Sequence, residues 1–259
     1  MVPLRVLFGE ETHLDWVEMH PDEFFKRLAS VQTLPTTSQP SPADFKRAYG
    51  ELADKGCEEI VSIHLTSPLS GTFESATLGA QDSPVPVEVV DTKLVSQAFG
   101  LIVKRAIELR DAGASGAEIA RTCRATAANT RLFFILNTLD YLVKGGRAGK
   151  AQGLAASILN IKPILTFNAE GTIEPFKKVK GTRKAIEELA AHVAAESRAR
   201  GRMRVAILHA SSPALADELL GALEAAEADF ELDCTGLVGA VIGTYAGPGA
   251  VGVAYHPMP

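Results

Sequence analysis

The apolar positions of this chain change period several times, and each change marks an element. Leu4 to Phe8 is a short apolar strand behind Pro3. Pro21-Asp22-Glu23 before Phe24, Phe25 and Leu28 opens a helix, because acidic first-turn residues complement the helix dipole. Leu34 to Pro42 then holds Pro35, Pro40 and Pro42 among Thr36, Thr37, Ser38 and Ser41. That composition excludes a helix interior or a central strand and predicts a rigid, hydroxyl-lined loop. Ser41-Pro42-Ala43-Asp44 starts the next helix, which carries Phe45, Tyr49 and Leu52 and stops at Gly56.

From Glu59 to Leu65 the pattern alternates, with Val61, Ile63 and Leu65 on one face and Ser62 and His64 on the other. This predicts a strand entering a site. A turn from Thr66 to Thr72 leads into a helix over Phe73 to Ala80. Its free N–H groups and dipole favour an anion among Ser70, Gly71 and Thr72. Val85 to Val90 is a strand, Ser96 to Ala112 and Glu118 to Thr130 are helices, and Leu132 to Leu136 is a strand. Alternation at this spacing predicts a parallel sheet with covering helices.

Leu139 to Gly149 breaks the pattern with Gly145, Gly146 and Gly149 around Arg147. Ile161 to Phe167, a turn at Asn168 to Gly171, and Thr172 to Val179 read as a hairpin. The expectation is an α/β chain of two domains, 1–143 with the parallel sheet and 144–259 with a mixed or antiparallel one. Thr182 to Ser197 is a helix, Arg204 to His209 a strand, Pro213 to Ala226 a helix, and Cys234 to Tyr255 reads as strand, glycine loop, strand.

Composition narrows the function. A chain of 259 residues with net charge -5 and no Lys/Arg block has no electrostatic footprint for nucleic acid or an anionic membrane. Cys234 to Tyr255 carries no charge and is long enough to cross a bilayer, yet its glycines and Pro248 fit a loop, so no membrane insertion is expected. The start lacks a signal peptide's basic and apolar regions, and Cys57, Cys123 and Cys234 lack C-x-x-C spacing. A cytoplasmic protein with reduced, buried structural thiols is expected.

The chain has no G-x-S-x-G elbow, no H-E-x-x-H, no P-loop and no G-x-G-x-x-G behind a strand. The six histidines show no metal-binding spacing, and Asp91 after its strand reads as catalytic or, with Thr92, as a helix cap. What remains is two hydroxyl loops, Thr36-Thr37-Ser38 and Ser67 with Ser70 and Thr72. As turn residues they need no function. If they converge at the carboxyl end of the sheet, neutral donors without a base suit holding a carboxylate or phosphate. An acyl hydrolase or transferase with Ser70 as nucleophile and His64 as base is the enzymatic alternative, and a non-binding interaction protein is a third reading.

Six motifs carry a resemblance: Thr37-Ser38-Gln39-Pro40-Ser41; Leu69-Ser70-Gly71-Thr72; Val90-Asp91-Thr92; Leu139-Asp140-Tyr141-Leu142 with Gly145-Gly146-Arg147; Ile161-Lys162-Pro163-Ile164-Leu165; and Gly247-Pro248-Gly249. In this order they resemble the DegV family across nearly the whole chain. The resemblance implies a protein similar to the fatty-acid-binding subunit of bacterial fatty acid kinase, with no cofactor. A long-chain fatty acid would lie between two α/β domains, and its carboxylate would be offered to a separate kinase subunit. Thr37 and Ser70 would hold the head group, with Ser38, Gly71, Thr72, Arg147 and Tyr245 completing the ligand-binding set.

Three departures from the family pattern stand out. A first strand and an Asp-Ser loop of about twenty-five residues, expected before Val2-Pro3-Leu4, are absent. This suggests either a truncated start or a sheet whose inner backbone must be covered otherwise. Tyr245 stands where the family commonly has His; a phenol still donates a hydrogen bond. Lys180 replaces an Arg associated with kinase contact, keeping the charge without the planar fork.

Overall fold

Strands far apart in sequence build the main sheet of the computed structural model, which describes residues 1–157 and 161–258. Its order is β10 (Phe230–Leu237), β9 (Met203–His209), β11 (Val251–Pro257), β6 (Arg131–Ile135), β7 (Ile161–Phe167) and β8 (Ile173–Lys180). The β9–β10 pair is parallel, and every other neighbour is antiparallel. The expected hairpin is β7–β8. The strand β6, which precedes residue 143, pairs with β7 and β11 and so belongs to this sheet rather than to the strands before it.

Alternation assigns the two faces of this sheet. Phe133, Ile135, Val205, Ile207, Val253 and Tyr255 pack with α7 (Thr182–Arg200) and α8 (Pro213–Ala225) in one core. On the other face Leu132, Leu165, Ala206, Leu208 and Ala254 join a larger core with α4 (Ser96–Asp111) and α5 (Gly116–Asn129).

The first part of the chain makes two small sheets. The strand β1 (Arg5–Phe8) lies between β2 (Glu11–Leu14) and β3 (Thr36–Ser38), both antiparallel to it. The parallel pair is β4 (Ile60–His64) with β5 (Val87–Asp91). Around them lie α1 (Pro21–Leu28), α2 (Pro42–Asp54) and α3 (Thr72–Ala80). A capping box opens α2: the Ser41 side chain accepts from Asp44 N while the Asp44 carboxylate accepts from Ser41 N.

Several expectations are corrected. Thr36 to Ser38 is a short edge strand, not a loop; the prolines flank it, so no ladder donor is lost. The polar face of β4 is buried and its apolar face is half-buried, because Tyr49 Oη donates to Ser62 Oγ (2.8 Å) and Ser62 Oγ bonds to His64 Nε2 (2.8 Å). This satisfied chain turns two polar side chains into core. The expected glycine loop near the C-terminus contains a helix, α9 (Ala240–Ala246). Its N-terminal donors Ala240 N (2.8 Å) and Val241 N (3.2 Å) are capped by the carboxylate of Asp15. Asp91 and Thr92 do not cap the helix that follows them: Asp91 accepts from Lys93 N and from Ser67 N, the first donor of a short 3-10 turn, and Thr92 Oγ1 donates to His64 O. Cys123 is buried as expected, Cys234 is half-buried, and Cys57 is exposed. Among the described residues no helix is long and apolar enough to cross a membrane.

Burial lowers the pKa of His64 from 6.5 to about 4 against the pull of Asp91. Unfolding therefore takes up a proton between these values. The stability conferred by neutral burial is complete above about pH 6.5 and is lost as pH falls to about 4, a change on the order of 3 kcal/mol. Urea midpoints at pH 7 and pH 4.5 will fall more steeply with acid in the wild type than in His64→Asn; parallel slopes refute the assignment.

Candidate functional site

A cavity enclosing about 990 Å³, its open mouth included, lies between the α4-side face of the main sheet and the loops of the first part of the chain. Its walls are mostly aliphatic and aromatic, with Leu132, Phe134, Leu136, Leu208, Val238 and Ile242 among them. Seven polar side chains reach it: Thr37, Gln39, Ser70, Ser96, Arg147, His209 and Tyr245.

Four of the expected site residues, Thr37, Ser70, Arg147 and Tyr245, line this cavity. Thr37 is held by pairing with Val6 in β1, and Arg5 secures the segment after it by donating to Gln39 O (3.3 Å) and to Asp44 (2.8 Å). Thr37 Oγ1 and the Tyr245 hydroxyl hydrogen-bond to each other. Tyr245 stands on α9, beside α6 (Asp140–Lys144) and the turn that follows it. A Cβ on Gly145 would come within 2.4 Å of the Tyr245 ring, so only glycine permits this approach. Gly146, at φ 71, then turns the chain so that the Arg147 guanidinium sits 4.9 Å over the same ring, a cation–π contact.

Arg147 spends its own hydrogen bonds on main-chain carbonyls, Gly145 O (2.8 Å) and Leu69 O (3.4 Å). It forms no ion pair with a carboxylate among the described residues, and no Asp or Glu lines the cavity. The second contact fixes the turn that presents Ser70, whose Oγ bonds to Thr72 Oγ1 (2.8 Å). The other expected residues stand back from the walls. Thr72 is buried behind Ser70, Gly71 is the N-cap of α3 with the Gln39 side chain against it, and the exposed Ser38 hydroxyl donates to Gln39 O.

Sequence reasoning did not single out Gln39, Ser96 or His209 as ligand-facing. Ser96 stands at a helix start and accompanies the Val90-Asp91-Thr92 motif of the resemblance, but its φ of 53 is visible only in three dimensions. Burial lowers the His209 pKa, and Nδ1 accepts from Ser212 N (3.3 Å), so the ring is a neutral donor at Nε2. Ser70 bonds to Thr72 and His64 to Ser62, and among the described residues no hydrogen bond joins Ser70 to His64. Among the described residues no group of three or more His, Cys, Asp and Glu is placed to hold a metal ion.

The profile of the DegV family, described as one of uncharacterised proteins, matches residues 1–258. The chain belongs to the DegV family. A fatty acid-binding protein of Thermotoga maritima is 34% identical over 97% of this chain and 88% of its own length. A fatty-acid-binding DegV protein of Thermus thermophilus has the same fold at a TM-score of 0.92, with 35% identity over 99% of this chain and 91% of the other. A DegV protein of Ruminococcus gnavus, solved with vaccenic acid, superposes at 0.83, with 26% identity over 98% and 90%.

Gly145→Ala will push the added methyl into the Tyr245 ring and cost about 1–3 kcal/mol. Chemical denaturation in the Tyr245→Ala background will show most of that cost gone; an undiminished cost there places the strain elsewhere.

Proposed function

We propose that this DegV protein binds one long-chain fatty acid, holding its carboxylate at Thr37, Ser70, Arg147 and Tyr245 and its chain against the apolar walls. The observation that carries the reading is Arg147: a cation without a carboxylate partner, beside three hydroxyls, at the edge of a cavity otherwise almost wholly apolar. Such a site selects an anion with a long aliphatic body. The relatives from Thermotoga and Thermus, named for fatty acid binding, and the vaccenic acid in the Ruminococcus protein support it.

Magnitudes agree. A C16 chain buries about fifteen methylene or methyl groups at ~0.8 kcal/mol each, on the order of 12 kcal/mol before ordering costs. Affinity then comes from the chain, while the head-group donors decide orientation and exclude esters and alcohols. Hydroxyl donors around a cation, with no nucleophile–base pair among the described residues, suit holding an acid. The cavity is open rather than filled by side chains, which weighs against the non-binding reading.

Presentation of the bound acid to a separate fatty acid kinase is the second part of the proposal. The exposed Lys178 and Lys180 of β8 put cations on an edge strand of the main sheet, a surface suited to an acidic partner, while Lys177 beside them is paired with Glu188. With a fatty acid kinase subunit and ATP, Lys180→Glu will slow acyl-phosphate formation while leaving fatty acid affinity unchanged. Equal rates would remove Lys180 from the contact.

Native mass spectrometry of the purified protein will show a near-stoichiometric C14 to C18 acid. Thr37→Val and Ser70→Ala will each weaken binding by about twofold to tenfold, the worth of one hydrogen bond, and Arg147→Ala by more. An empty protein that refuses added fatty acid overturns the reading.

A further inference from the structure

The apolar cavity abuts a second cleft of about 730 Å³, open to solvent and lined by Asp91, Lys93, Arg124, Arg131 and Asn168 among others. Phe167 is the one residue among those described that lines both. Sequence neighbours divide between the two spaces on either side of it. Leu94 faces the cleft and Val95 the cavity; Arg131 faces the cleft and Leu132 the cavity.

The ring is held firmly. Phe167 ends β7 opposite Ile173, which opens β8, and its ring lies 6.0 Å from that of Phe134. The turn beyond it is closed by Asn168 N donating to Thr172 O (3.0 Å) and Thr172 N donating to Asn168 Oδ1 (2.9 Å). Thr66 Oγ1, from the loop after β4, donates to Gly171 O (2.8 Å) and ties this turn to the opposite wall. On the far side of the ring the surroundings change from aliphatic to charged, with Lys93 paired to Asp91 (2.7 Å).

We propose that Phe167 is the stop for the acyl chain: its ring closes the apolar cavity against the charged cleft and sets the longest fatty acid the protein accepts. This rests on the fatty-acid reading above. Each methylene that finds apolar wall strengthens binding about fourfold, and a chain that outgrows the cavity must displace the ring or fold back on itself. Removing the ring opens a passage into the cleft, through which a longer chain can extend.

The test is a displacement titration of saturated acids from C12 to C24 on the wild type, Phe167→Ala and Phe167→Trp, with Phe167→Leu replacing the alanine variant if that one fails to fold. The wild type is expected to gain affinity with length and then lose it sharply past a limit. Phe167→Ala will move that limit upward by at least two carbons and raise the C20 to C16 affinity ratio at least tenfold; Phe167→Trp will move the limit down. Length profiles that coincide in all the proteins overturn the role of Phe167 and leave fatty acid binding standing. A wild type that binds no acid of any length overturns fatty acid binding itself, and this inference with it.

Discussion

The hydrogen bond between Thr37 and Tyr245 joins positions 208 apart in the chain, and the rest of the site is arranged so that it can form. Two hydroxyls facing an apolar cavity are costly unless each has a partner. They satisfy each other here only because three separate devices converge: β3 pairs with β1, the Asp15 carboxylate caps α9, and Gly145 admits the Tyr245 ring. Arg147 then uses the ring of the same tyrosine as its seat. In the proposed binding mode a carboxylate would enter by exchanging hydrogen bonds within a preformed cluster, so little reorganisation would have to be offset by binding.

That dependence explains which features were legible in the sequence. Elements with local signals were readable: the Ser41–Asp44 capping box of α2, the amphipathic run of α4, and the turn between β7 and β8. The helix α9 was not, because five of the surrounding glycines argue against a helix and the group that caps it sits at Asp15. Which face of β4 is buried was not readable for a related reason. Alternation identifies two faces, but which one is buried depends on whether its polar groups find partners, and Tyr49 comes from another element.

The same division runs through the site. Hydroxyl content nominated two segments, the resemblance picked Thr37 and Ser70 out of them, and both line the cavity. Arg147 and Tyr245 came from family resemblance, since nothing local distinguishes a tyrosine in a glycine-rich tail or an arginine after two glycines. Gln39, Ser96 and His209 became visible only once the sheet had assembled. Thr72 shows the converse: its motif looks ligand-facing, yet its hydroxyl serves Ser70 from behind.

The proposed selectivity for an acid rests on what Arg147 lacks. A surface arginine would find a carboxylate at little net gain, whereas here the guanidinium is anchored by two carbonyls and an aromatic face, none of which cancels its charge. Its surroundings offer aliphatic walls and neutral donors, and among the described residues no Asp or Glu lines the cavity. In the proposed site the carboxylate of a fatty acid would pair with that cation, whereas an uncharged lipid of the same length would bury the same apolar surface and leave it unpaired. On the proposed reading the acyl chain would supply the affinity, and Arg147 the preference for an acid over an uncharged lipid of its length.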